Sequence, residues 1–149
     1  MRALVERVLE AAVVVGGNEI ARIGAGLLVY VGVRVGDTEE DVSYLMEKIQ
    51  HVRIFEDEAG KMNLDVGQKG GQVLVISAFT LQADARKGRR PSFDQAAPPA
   101  LANEFYEKLV LGLREAGLSV QTGQFAAAMR VTAVNDGPIT VLLDSQRVF

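Results

Sequence analysis

Two short stretches carry the residues best suited to chemistry. The first is Asn135-Asp136-Gly137-Pro138-Ile139-Thr140, a Gly-Pro dipeptide just ahead of an apolar C-terminal strand. Proline cannot donate to a sheet and belongs at a strand start or a turn. Glycine before it removes the Cβ that would crowd a ligand and permits unusual backbone angles. An X-Pro bond is also where a cis peptide costs only about 0.5–1 kcal/mol over trans. A cis Gly-Pro turns two successive carbonyls to one side, a rigid pincer for an ammonium group. The competing account is an ordinary tight turn entering a strand.

The second stretch is Ser77-Ala78-Phe79-Thr80-Leu81, at the end of the apolar run Gln72–Ile76. The end of a buried strand is a common ligand site in α/β folds. Backbone N–H groups released there can face a developing oxyanion. Ser77 and Thr80 add hydroxyls, and Phe79 adds a flat face for a base or a pocket wall. Local bonding of those hydroxyls to their own backbone is the plainer alternative. There is no cysteine and a single histidine, His51, near the end of a predicted helix. A nucleophile activated by a neighbouring base therefore has no obvious partners. No Asp/Glu cluster has metal-ligand spacing, so neither a metal nor another cofactor is called for.

The elements that must position these residues follow from periodicity. Residues 2–9 and 11–16 are rich in Val, Leu and Ala, and Gly16-Gly17-Asn18 turns the chain toward Ile20–Ile23. Residues 27–33 form a near-continuous apolar run and predict a central strand. Thr38 followed by three acids, with Val42, Leu45, Ile49 and Val52 at helical spacing, predicts a helix over 39–51. Residues 72–77 give a second central strand. Pro98-Pro99 opens a second helix that Gly117 stops, and 82–97 becomes a long ordered loop. Strands near 118–122, 127–134 and 138–143 complete the chain. The result is an α/β fold, a single mixed domain over 1–149 whose layered β-sheets are covered by two helices.

Composition narrows the setting. A chain of 149 residues that is 48% hydrophobic supports a sizeable core. No run approaches the roughly 20 apolar residues of a membrane span. The charged N-terminus and the absence of cysteine suit a cytoplasmic protein. Net charge is −3, yet Arg86, Lys87, Arg89 and Arg90 cluster around Gly88 directly after the second motif. Such a cluster can hold phosphates, or it can be a solvated loop.

Together the two motifs resemble the signatures of the D-aminoacyl-tRNA deacylases, SQFTL and N-x-G-P-[VI]-T. Six further blocks resemble the family in order: Arg7-Val8, Gly24–Val29, Arg53–Phe55, Gly60–Asn63, Arg90–Phe93 and Thr122–Ala126. One departure stands out, since Ala78 occupies the position of the family's glutamine.

The resemblance implies a homodimer that hydrolyses D-aminoacyl-tRNA, with glycyl-tRNA as a further substrate and the active site at the subunit interface. It implies that the amides of Phe79 and Thr80 hold the oxyanion while the ribose 2′-hydroxyl assists. Thr80's hydroxyl is then secondary rather than a nucleophile. It also implies a cis Gly137–Pro138 that enters the partner's site, binds the substrate ammonium and fills the space an L side chain needs. Arg7 would lock that pincer, with a plain surface charge as its alternative. Ser77, Ala78, Phe125 and Met129 would line the pocket, the last two competing with ordinary core packing. Arg86, Lys87, Arg89 and Arg90 would contact tRNA phosphates. The rival reading is a non-catalytic binder of tRNA 3′ ends on the same scaffold.

Overall fold

Strand β1 (Arg2–Val15) runs without a break where the sequence suggests two segments. Ala3 and Val5 enter one core, whereas Ala11 and Val13 enter another. Between them Leu9 and Glu10 are both exposed, and the pairing register slips on either side of Val8. An irregularity of this kind bends a strand and increases its twist. One segment thereby serves two layers. The computed structural model describes residues 1–148, so the last position of the expected 1–149 domain lies outside the described residues.

Strands β2 (Asn18–Ile23) and β3 (Gly26–Gly32) pair antiparallel with successive halves of β1. Helix α1 (Glu39–His51) has the bounds its capping and periodicity predict, with Asp41 accepting from the Thr38 amide at 2.7 Å. A small hairpin, β4 (Phe55–Glu56) and β5 (Met62–Leu64), follows. Strand β6 (Gln72–Ser77) lies parallel to β3 and leads into a single 3₁₀ turn, Phe79–Gln82. Helix α2 (Pro99–Glu115) connects to β7 (Ser119–Thr122), parallel to β6. Finally β8 (Met129–Asp144) pairs with β1 along its whole length, as one strand rather than the two expected over 127–134 and 138–143.

Both helices cover one face of β3 and β6. Leu45, Ile49, Leu109 and Leu113 pack there on Leu27, Val29, Val73 and Val75. The opposite face, Leu28, Leu74 and Ile76, packs on Val8, Val13 and Ile23 from the curled part of the sheet. These are the layered sheets under two helices that the sequence implies. The Tyr106 hydroxyl donates to the Val75 carbonyl at 2.8 Å, and burial pushes that phenol up to about 12. This bond ties α2 to the strand that ends at the second motif. Among the described residues, no helix is long and apolar enough to cross a membrane.

Gly26 marks the closest approach between strands. A Cβ there would stand 1.9 Å from the Gln72 carbonyl oxygen and 2.7 Å from the Gln72 nitrogen. Both are backbone atoms, so the only relief is separation of β3 from β6. Gly26→Ala should lower the melting temperature by on the order of 10 °C. Thermal unfolding of the variant beside the wild type reads this directly, and an unshifted midpoint would refute it.

Candidate active site

The second motif is shaped by the way β6 ends. Ala78 still donates to the Val31 carbonyl at 2.8 Å, which is the last rung to β3. The chain then tightens, with Leu81 N donating to Ala78 O at 3.1 Å. The first amides of such a turn have no partner within it. The N–H groups of Phe79 and Thr80 accordingly donate to nothing among the described residues. The turn lies close against the end of β3 and is bonded to it. A Cβ on Gly32 would meet Ala78 O at 2.8 Å, and the buried Gln82 donates Nε2 to Gly32 O at 2.7 Å.

Ser77, Ala78, Phe79 and Thr80 border a cleft of about 750 Å³, and Phe125 and Met129 line it as well. Both are half-buried and also touch the core, so wall and packing roles coincide. Phe125 leans on Tyr106 with ring centroids 6.2 Å apart. Tyr30, which sequence reasoning did not single out, lines the same cleft. Burial, with the Glu6 carboxylate adding to it, raises the Tyr30 phenol above its ordinary value. Phe79 is 55% exposed at the mouth and meets Phe93 edge-on at 5.2 Å. Two rings at the edge of an apolar cleft offer a stacking surface.

Gly137–Pro138 is cis, as the motif predicts. Glu6 of β1 faces Thr140 and Val8 faces Asn135, so Asp136–Ile139 stand opposite Arg7 alone. The four residues form an excursion from the ladder, and Asn135 closes it. Its Nδ2 donates to Arg7 O and to Ile139 O, each at 3.0 Å. Arg7 is 7% exposed, which excludes the plain surface charge. Its Nη1 donates to Ile54 O at 2.7 Å. Its Nε lies 2.8 Å from Asp136 Oδ2, an ion pair whose N–H is misaligned for a hydrogen bond. Gly137 has φ +122°, and a Cβ on it would meet Ile139 Cγ1 at 2.6 Å. Neither Arg7 nor Gly137 nor Pro138 lines the cleft of its own chain.

The basic loop is more ordered than a solvated arm. Asp84 and Ser92 exchange backbone bonds at 2.8 and 2.9 Å across its base. Arg86 binds both carboxylate oxygens of Asp84, which lies well below the usual carboxylate range because of that side-chain bond. Lys87, Arg89 and Arg90 are exposed. His51 is exposed at the end of α1, 3.5 Å from Asp65, and does not border the cleft.

Two unengaged amides at the mouth of an apolar cleft, with no nucleophile–base pair among its lining residues, form a site suited to receiving an anionic oxygen. The family described as D-Tyr-tRNA(Tyr) deacylase matches residues 4–144, and the chain belongs to that family. It is 55% identical over 149 residues to the D-aminoacyl-tRNA deacylase of Thermotoga petrophila, covering 100% of both chains. It is 57% identical over 145 residues to that of Myxococcus xanthus, covering 97% of this chain and 95% of the other. Among solved structures, the c-Myc DNA Unwinding Element Binding Protein superposes with a TM-score of 0.92 at 39% identity, over 97% of this chain and 98% of that one. A probable eukaryotic D-amino acid tRNA deacylase superposes with a TM-score of 0.83 over 95% of this chain and 97% of that one. At 16% identity, that last likeness is one of fold.

Proposed function

We propose that the chain hydrolyses the ester joining a D-amino acid to the 3′-terminal adenosine of tRNA, releasing free D-amino acid and tRNA. The observation that carries this reading is the pair of unengaged amides at Phe79 and Thr80, held on a fastened turn beside an apolar cleft. Water adds to the ester carbonyl, and the carbonyl oxygen becomes an oxyanion that the two N–H groups receive. The bond to the ribose 3′ oxygen then breaks, and the proton released by the added water is relayed through the neighbouring 2′-hydroxyl to that oxygen. An aminoacyl ester is already activated, so positioning and electrostatics supply most of the acceleration. Ala78 fits this scheme because its main chain sets the turn, so the amides need no glutamine side chain to be placed.

Selection by chirality requires a second copy of the chain in the cytoplasm-located enzyme. In the working homodimer, the partner's Gly137–Pro138 carbonyls receive the substrate's ammonium, and backbone occupies the space of an L side chain. Three features support this. The excursion is braced by Arg7 and Asn135 yet lies outside its own chain's cleft. Strand β8 pairs only with β1, leaving its second edge without a strand among the described residues. Val134 and Leu142 on β8 are 46% and 56% exposed, as befits a surface awaiting cover. Lys87, Arg89 and Arg90 complete the reading as phosphate contacts, with Arg86 partly committed to Asp84.

Single-turnover hydrolysis of a D-aminoacyl-tRNA with enzyme in excess tests the proposal. Release of the amino acid well above the spontaneous rate is expected. Tight binding without hydrolysis would leave the rival, a binder of tRNA 3′ ends.

A further inference from the structure

A second cleft, of about 520 Å³, opens at the far end of the same 3₁₀ turn and is bordered by Arg2, Arg34, Arg86, Asp84, Gln82 and Gln95. The three arginines differ in how far their charge is cancelled. Arg2 Nε donates to Asp144 at 2.8 Å, and Arg86 is held by both oxygens of Asp84. Arg34 has no carboxylate on its guanidinium among the described residues. Two neutral side chains hold it instead. Its Nε and Nη2 both donate to Gln95 Oε1, at 3.2 and 3.0 Å, and its Nη1 donates to Gln146 Oε1 at 2.5 Å.

That arrangement has two electrostatic consequences. Neutral acceptors fix a guanidinium's direction without cancelling its charge, so Arg34 is both pre-organised and a full cation. With their oxygens turned to Arg34, the two glutamines leave their amide nitrogens without partners among the described residues. Donors then surround the guanidinium. Asp84 also borders the cleft, but both its oxygens are taken by Arg86, so the uncancelled charge of Arg34 makes this surface suit an anion. The backbone beneath it is also pinned, because Val35 N donates to Gln95 O at 2.9 Å and Ala97 N to Val33 O at 3.0 Å.

Position identifies the anion. The 3₁₀ turn separates the two clefts, and its four residues at ~2.0 Å rise span roughly 8 Å. Arg2, on the side of the second cleft, ties to the turn by donating Nη1 to the Leu81 carbonyl at 3.1 Å. An RNA 3′ end with its terminal nucleoside at Phe79 and Thr80 therefore meets this second cleft one nucleotide further along its backbone. We infer that the cleft is a phosphodiester subsite for the strand just upstream of the terminal nucleoside, with Arg34 as its principal contact. The inference rests on the deacylase reading of the first cleft. It adds to Arg86 of the basic loop, which borders the same cleft, a cation from a different part of the chain.

The test compares two esters of the same D-amino acid: the full D-aminoacyl-tRNA, and D-aminoacyl-adenosine, which has no upstream phosphate. In Arg34→Gln the ratio of kcat/KM on tRNA to kcat/KM on the nucleoside ester should fall about tenfold, the size of one charged contact. The slope of log K for tRNA binding against log salt should become shallower by about 0.7–0.9, as for one lost phosphate contact. Arg34→Lys should restore the slope but only part of the ratio, since an ammonium lacks the planar fork. An unchanged ratio and slope in Arg34→Gln would overturn the subsite while leaving the deacylase reading intact. If the wild type cleaves neither ester, the deacylase reading fails, and the salt slope of tRNA binding by Arg34→Gln still decides the subsite.

Discussion

L-Alanyl-tRNA should be hydrolysed more slowly than D-alanyl-tRNA by on the order of 10²-fold or more, whereas glycyl-tRNA should be cleaved readily. An attractive pocket separates substrates differing by a methylene by only about 1–3 kcal/mol. Exclusion by backbone is different, because a methyl forced against fixed atoms meets repulsion rather than losing attraction. The excursion at Gly137–Pro138 is braced at both ends. Asn135 ties its two ends through Arg7 O and Ile139 O, and Arg7 is itself anchored on Ile54 O. At Gly137 a Cβ of its own would meet Ile139 at 2.6 Å, so the excursion needs glycine at that position. Glycine presents no side chain on either face and cannot be excluded by this means. The three esters are compared under identical single-turnover conditions with enzyme in excess. Equal rates for the two alanyl esters would remove the pincer from any role in chirality. Failure to cleave the glycyl ester would require a contact to the D side chain that steric exclusion does not contain.

Much of this was legible in residue order, for identifiable reasons. Helix α1 and strand β6 fall where predicted because each has a start signal and an unbroken period: Thr38 with its acids for one, a continuous apolar run for the other. The hairpin of β4 and β5 escaped notice because strands of two and three residues carry no period. Proline at 138 suggested a break between two strands. The chain instead resumes pairing at Thr140, since a four-residue excursion removes Gly137 and Pro138 from the ladder without ending it. The site was legible in its parts but not in its grouping. Ser77–Thr80, Phe125 and Met129 share one cleft, while Arg7, Gly137 and Pro138 lie apart from it. Arg34 left no mark in the sequence at all. Its two braces come from positions 61 and 112 residues away, and glutamine beside arginine is no motif.

Removing the 2′-hydroxyl of the terminal ribose should slow the chemical step by on the order of 10²–10⁴-fold, the range of a lost proton-transfer group. Thr80→Ala should slow it by less than about tenfold. The reason is an inventory of proton acceptors around the cleft. The side chains there that carry a titratable or hydroxyl group are Tyr30, Ser77 and Thr80. Burial raises the Tyr30 phenol, so it stays protonated near neutral pH and cannot serve as a base. His51 is elsewhere on the surface, and there is no cysteine. Among the described residues that line the cleft, Thr80 therefore has no group to take its proton, and a neutral hydroxyl is a poor nucleophile. The substrate's own 2′-hydroxyl lies beside the bond that breaks, where it can carry the proton to the leaving oxygen. Thr80's amide survives the change to alanine, so the oxyanion contact persists in that variant. Single-turnover rates on normal and 2′-deoxy-terminated D-aminoacyl-tRNA, for wild type and Thr80→Ala, decide between the two schemes. Complete loss of the chemical step in Thr80→Ala with binding intact would make the threonine the nucleophile. An undiminished rate on the 2′-deoxy ester would remove the RNA from the mechanism.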